Sequence, residues 1–333
     1  MAQRKTAGRQ GHGLAGASAL RALRLLVCAL AVLALSAVPA RAAEILAVLS
    51  ARLPPYEQAL AEFRTQLSRL PAAGPKAIEP HTYTELVLTE AGPQGLARAL
   101  RDRRPALVLA LGRSALLAAA ELPQRPPTPL LHLLAPGVPP EVRARPDVTG
   151  VDLDVAPAAT LAVLRTILPN LRRVGLVYDP QRTGALVDQA RAAAREAGLE
   201  LTALPVGESR EVPSRLGELA GRVDLLWLLP DLTVATPDGT ASFVQISQRH
   251  RVPVLAFSRP YAERGATLTI AAEPGGMAAQ AARLARRLLA GESPRRAVPE
   301  APVLLSVTAN RAVAAKLGLE LVRPASLHFE WLE

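Results

Sequence analysis

Short apolar runs alternate with longer amphipathic stretches along most of the chain. Ile45-Leu-Ala-Val-Leu-Ser50 is apolar at successive positions, as in a strand buried on both faces. The stretch 56–70 carries Leu60, Phe63 and Leu67 at the three-to-four spacing of an amphipathic helix. The same rhythm predicts strands over 77–86, 106–111 and 129–134, with helices over 95–101 and 114–121. A proline-rich break over 135–147 interrupts it, and Val148-Thr-Gly-Val-Asp152 reads as extended. The pattern then restarts, with helices over 160–168, 184–197, 213–219 and 241–249 and strands over 173–178, 199–206, 223–229 and 252–257. Gly198 stands where a left-handed cap would stop the long helix. Past Phe257 come a strand over 265–270, a helix over 276–290, a strand over 303–307 and a helix over 309–317.

Strands alternating with helices specify an α/β fold whose parallel sheets are covered by helices. Two series of βα units joined by an extended crossing predict two Rossmann-like lobes with a cleft between them. Lobe I is expected over 43–148 and lobe II over 149–264, with 265–333 returning across the hinge and adding part of itself to lobe I, or else simply extending lobe II. A hinge of several strands restricts motion to opening and closing.

Residues 1–42 have a different character. They hold six basic residues (Arg4, Lys5, Arg9, Arg21, Arg24, Arg41) and no acidic one, so six of the net +10 charges sit there and +4 is left for the remainder. The apolar run from Leu25 to Leu35 is too short to span a bilayer, and Pro39-Ala-Arg-Ala42 follows it. Basic, apolar and then small residues form the pattern of a secretory signal peptide, with cleavage expected near Ala42 and an uncleaved anchor as the alternative. Cys28 is the only cysteine, and the bulky Val27 before it argues against a lipoprotein site. The mature chain would then be free of cysteine, in keeping with a bacterial periplasm. A net +4 over the rest of the chain removes the electrostatic case for nucleic acid.

Catalytic signatures are missing. The chain has no Gly-x-Ser-x-Gly elbow, P-loop, His-Glu-x-x-His motif or glycine-rich dinucleotide fingerprint. His81, His132, His250 and His328 are scattered singly, which is poor material for a metal site. No catalytic residue, metal or cofactor is expected.

In open parallel sheets, ligands sit beyond the carboxyl ends of the strands, where loops enter helix N-termini. From lobe I this selects Ser50, Tyr56 and Gly112-Arg113-Ser114. From lobe II it selects Tyr178, Asp179, Gln181, Thr183, Asp231, Thr233 and Ser258. Gly112-Arg113-Ser114 can hold a carboxylate, or Ser114 can simply cap a helix. Asp179 and Asp231 can cap helices or receive a ligand ammonium. Tyr56, Tyr178, Phe257 and Tyr261 stand near strand ends, where they can grip a flat or apolar ligand or pack in the core. The first set is expected to face 179–183 across the cleft.

The order and spacing of several segments carry a family resemblance across nearly all of the mature chain. They are Ile45-Leu-Ala-Val-Leu-Ser50 with 56–67, Ala110-Leu-Gly-Arg-Ser-Ala115, Asp147-Val-Thr-Gly150 and Leu168-Pro-Asn-Leu-Arg-Arg-Val-Gly-Leu-Val-Tyr-Asp-Pro180. Pro253-Val-Leu-Ala-Phe-Ser258, Glu263-Arg-Gly-Ala266 and Gly291-Glu-Ser-Pro294 continue the series. Together they resemble the substrate-binding proteins of ABC transporters that include tryptophan- and tyrosine-binding members, with a type I periplasmic binding fold. The resemblance implies a small-molecule ligand in the cleft and delivery to an inner-membrane ABC permease with its ATPase. It also places ligand residues on Ser114 and its neighbours, 178–183, 231–233 and Ser258. Where the family usually carries an acidic Asp-Pro after the fourth strand, this chain has Ala135-Pro136. The stretch before the late helix reads Ala271-Ala-Glu-Pro274. These departures imply a changed or lost ligand preference. The expected function is a periplasmic solute-binding component of an ABC importer, taking a small amino-acid-like or other polar or aromatic ligand. The alternative is a periplasmic sensor of the same fold that reports to a membrane receptor.

Overall fold

A computed structural model describes residues 43–71, 81–123, 128–325 and 327–333. The leader, with its proposed cleavage site and Cys28, lies outside these residues, as does the part of the expected second strand before His81. The first sheet is built from β1 (Ala43–Leu49), α1 (Pro54–Arg69), β2 (His81–Val87), α2 (Leu88–Arg103), β3 (Leu107–Leu111), α3 (Arg113–Glu121), β4 (Leu130–Leu133), α4 (Pro140–Arg143) and β5 (Val148–Gly150). Its strands lie in the order β2-β1-β3-β4-β5, all parallel. Ile45, Ala47 and Leu49 of β1 enter one core, and Leu46 and Val48 the other. Successive side chains of a strand point to opposite faces, so a strand covered on both sides reads as an unbroken apolar run.

The second sheet follows from α5 (Pro157–Ile167), β6 (Arg173–Tyr178), α6 (Pro180–Glu196), β7 (Glu200–Pro205), α7 (Val212–Leu219), β8 (Leu225–Trp227), α8 (Pro237–His250), β9 (Val254–Ala256), α9 (Arg259–Glu263) and β10 (Leu268–Ala272). The strands run β7-β6-β8-β9-β10, again parallel, repeating the order of the first sheet. Helices α5 and α6 cover one face, and α7 and α8 the other. Gly198 has φ +65°, the left-handed cap expected at the end of α6.

After β10 the chain divides its allegiance. Helix α10 (Pro274–Leu289) packs on α1 and sends Met277, Ala281 and Leu284 into the core of the first sheet. Then β11 (Leu305–Asn310) returns to the second sheet, antiparallel to β10, followed by α11 (Arg311–Leu317) and β12 (His328–Leu332). The chain therefore passes between the sheets three times. Two passes are tied together: Val151 bridges Glu300, the Glu300 N–H donates to the Gly150 carbonyl, and the Asp152 N–H donates to the Glu300 carbonyl. The third is bound in by the Glu273 N–H, which donates to the Leu304 carbonyl. Gln280 of α10 clamps the Glu300 end, donating to the Ala301 carbonyl and accepting from the Val303 N–H. The architecture is two Rossmann-like layers joined by a multi-strand hinge.

Several elements differ from the sequence expectation. Helices α6 and α8 begin earlier, because Asp179 and Thr236 cap them and Pro180 and Pro237 open their first turns. Helix α2 also begins earlier and is two helical pieces meeting at Gly92, φ +64°. The short α4 and α9 and the terminal β12 were not anticipated, since elements of four or five residues offer too few positions to show a period.

Candidate functional site

The carboxyl ends of the first sheet converge on one constellation. Gly112 follows β3 with φ +91°, and a Cβ there would stand 2.5 Å from the Ser50 hydroxyl and 2.6 Å from that of Tyr56. Only glycine admits both the conformation and the closeness. Ser50 Oγ accepts the Ala115 N–H at 2.9 Å, so the first turn of α3 is capped by a residue 65 positions away. Ser114 is not the cap; it is exposed in the first turn beside Arg113. The Arg113 guanidinium donates to the carbonyls of Pro136 and Gly137, holding the loop after β4. That loop leaves the strand through Leu134, which has φ +53°, an uncommon conformation for a branched side chain, and is 7% exposed. No glycine or asparagine marks the left-handed position of Leu134 in the sequence.

In the second sheet Asp179, Thr183, Asp231 and Thr233 form one network. Asp231 is fully buried; its Oδ2 accepts from the Asp179 N–H at 2.8 Å and the Thr183 hydroxyl at 2.5 Å. Its Oδ1 accepts the N–H groups of Thr233 at 2.8 Å and Val234 at 3.2 Å. Asp179 accepts from the Thr233 hydroxyl at 2.7 Å and the Gln181 N–H at 2.9 Å. These bonds, with Arg182 nearby, hold its carboxyl below its ordinary value despite partial desolvation. Asp231 is thus a staple between the loops after β6 and β8, with no oxygen left for a ligand ammonium, and Asp179 is a helix cap. Tyr178 is also turned inward: its ring lies in the core beneath α6, with the Arg191 guanidinium 5.7 Å from the ring centre. Ser258 opens α9 without a side-chain cap bond, and Phe257 stacks on Tyr261 at 4.7 Å, both part-buried. Gln181 is exposed.

The structure therefore gathers Ser50, Tyr56, Gly112, Arg113 and Ser114 in one sheet and Asp179, Gln181, Thr183, Asp231 and Thr233 in the other. Among the described residues no hydrogen bond joins the two sets. Two large apolar side chains stand out in these same loops, Leu53 at 47% and Leu232 at 78% exposure. Among the described residues no group of three or more His, Cys, Asp or Glu can hold a metal ion, and no helix is long and apolar enough to cross a membrane.

A family model described as ABC transporter substrate binding protein matches residues 140–323. A curated tyrosine-binding protein of Clostridioides difficile strain R20291 is 21% identical over 136 residues, 40% of this chain. The match spans 39% of that relative's length. Among solved structures, the ligand-free, open form of a substrate binding protein with adhesive properties from Clostridium difficile superposes with TM-score 0.69 at 18% identity. That likeness covers 87% of this chain and 99% of the other. The ABC domain in complex with L-Trp from Streptococcus pneumonia gives TM-score 0.55 at 16% identity over 87% and 100% of the two chains. These likenesses show the same type I periplasmic binding fold.

Proposed function

Since the chain belongs to the family of ABC transporter substrate binding proteins, we propose that it is an exported, non-enzymatic receptor for a small amino-acid-like solute. In this reading it binds the solute between its two sheets and hands it to an inner-membrane permease with a cytoplasmic ATPase. The observation that carries the reading is topological. Both sheets have the same parallel order, and the hinge passes connect them at the carboxyl ends of β5 and β10, so the loops of both sheets open toward one cleft. A ligand held there meets the exposed Ser114 in the first turn of α3 and apolar side chains at Leu53 and Leu232. This mixture suits a charged amino-acid end and an apolar side chain. The tyrosine-binding relative and the neighbour holding L-Trp support the same ligand class. The basic, apolar and small order of the leader supports export to the periplasm.

A thermal-shift screen of the chain from Ala43 onward tests the ligand class. L-tryptophan, L-tyrosine, L-leucine, nucleosides and sugars are the probes. A ligand at about 100 times its dissociation constant adds roughly 2.7 kcal/mol of stability. At least one of the three amino acids is expected to raise the melting temperature while nucleosides and sugars do not. Stabilisation by a sugar or nucleoside alone would contradict the reading.

A further inference from the structure

The root of the first pass between the sheets holds a buried histidine and a carboxylate that do not meet. His132 in β4 is 1% exposed and alternates with Leu131 and Leu133, which enter the core beneath α1 and α10. Its ring therefore lies on the opposite face, toward α3 and α4. The ring has a place made for it: a Cβ on Gly150, its partner in β5, would stand 2.5 Å from the imidazole carbons. Neither ring nitrogen has a hydrogen-bond partner. Asp152 stands just beyond β5, with Oδ2 bonded to Arg143 Nη1 at 2.6 Å and Oδ1 buried without a partner, 3.9 Å from His132 Nε2. A buried donor and a buried acceptor thus stop about 1 Å short of a hydrogen bond.

This gap lies where the hinge can act on it. His132 belongs to the first sheet, and its carbonyl accepts the Val151 N–H at 3.0 Å. The Asp152 N–H bonds the Glu300 carbonyl at 2.9 Å, and among the described residues no backbone bond follows from Leu153 to Val155, before α5. A swing of the second sheet therefore pulls on the pass at Asp152 while His132 stays in place. The cleft loops of the two sheets share no hydrogen bond in this state, so closing is the movement left to it.

Few charges face the ring. Arg143 of α4 and Asp152 act on it, and Asp154 follows two residues along the pass. Arg113 of α3 is turned to the carbonyls of Pro136 and Gly137, and Arg145 pairs with Asp147 before β5. The flanking strands present Ala110 and Gly150 beside it. Burial lowers the His132 pKa from 6.5 to about 4, with Asp152 raising it in part and Arg143 lowering it again. The imidazole is therefore neutral in this state at neutral pH.

We propose that His132 and Asp152 form a hinge latch: closing the cleft brings Asp152 Oδ1 within hydrogen-bond reach of His132 Nε2, and that bond holds the closed form. The closed form then takes up a proton at His132 more readily than the open one, because the imidazolium gains a charge-assisted bond there. By linkage, acidification favours closure. This rests on the cleft and hinge of the receptor reading and adds a regulation of that site by pH, which shows itself without a ligand.

Residues 43–333 hold no cysteine, so Thr89→Cys in α2 and Ala185→Cys in α6, both exposed and near strand ends, take a pair of spin labels. Double electron–electron resonance gives the distance distribution between them in the ligand-free chain at about pH 7.5 and about pH 5, above the range where the neutral ring is lost without the latch. The labelled parent, His132→Leu and Asp152→Asn are compared, with folding checked by circular dichroism at both pH values. In the parent the ratio of the shorter to the longer distance should rise about tenfold or more at the lower pH, the worth of a charge-assisted hydrogen bond. Both variants should keep one distribution at the two pH values, which a merely structural role for these residues would not produce. An unchanged parental distribution, or an equal response in either folded variant, would overturn the latch. The receptor reading stands or falls separately, on the thermal-shift screen.

Discussion

Asp231→Ala is expected to destabilise the protein by about 3–5 kcal/mol. The carboxylate is fully buried and is the shared acceptor for the N–H groups of Asp179, Thr233 and Val234 and for the Thr183 hydroxyl. Removing it leaves these donors facing an apolar methyl. A buried donor deprived of its partner costs about 1–3 kcal/mol, and the sum is less than additive because the loops after β6 and β8 relax together. Urea denaturation of parent and variant measures the difference. A loss below about 1 kcal/mol would mean that the carboxylate is not what joins these loops.

Acidification should also weaken the fold, through His132. Burial lowers its pKa from 6.5 to about 4, with Arg143 acting in the same direction and Asp152 against it. The unfolded chain therefore takes up a proton near pH 6.5 that the folded chain refuses until about pH 4, so stability falls as pH drops through that window. At about 1.36 kcal/mol per pH unit, roughly 2–3 kcal/mol should be gone by pH 4.5. Asp154, raised in the folded state, opposes part of this slope. His132→Leu should flatten the profile, because leucine fills the site without a group to protonate. An unchanged slope in that variant would assign the acid sensitivity elsewhere.

The strands were legible because apolar residues on both faces leave little doubt about burial: Ile45-Leu-Ala-Val-Leu and Val174-Gly-Leu-Val-Tyr178 lie in β1 and β6. Helix cores were legible for the same reason, and their starts were less so, as Pro180 and Pro237 show. The site was legible only as a set of loops. Nothing near Ala115 indicates that its N–H bonds to Ser50, and nothing near Asp231 indicates that its oxygens meet Asp179 and Thr183, 52 and 48 residues away. Those bonds exist only once parallel strands distant in sequence are neighbours.

A ligand held between the strand ends is expected to draw the two sheets together. Three hinge passes permit opening and closing, and a ligand that touches both sheets favours the closed form. Small-angle X-ray scattering of the chain from Ala43 onward, alone and saturated with the amino acid that stabilises it most, measures this directly. A smaller radius of gyration is expected in the saturated protein. An unchanged radius at saturation would mean that the sheets do not close on the ligand.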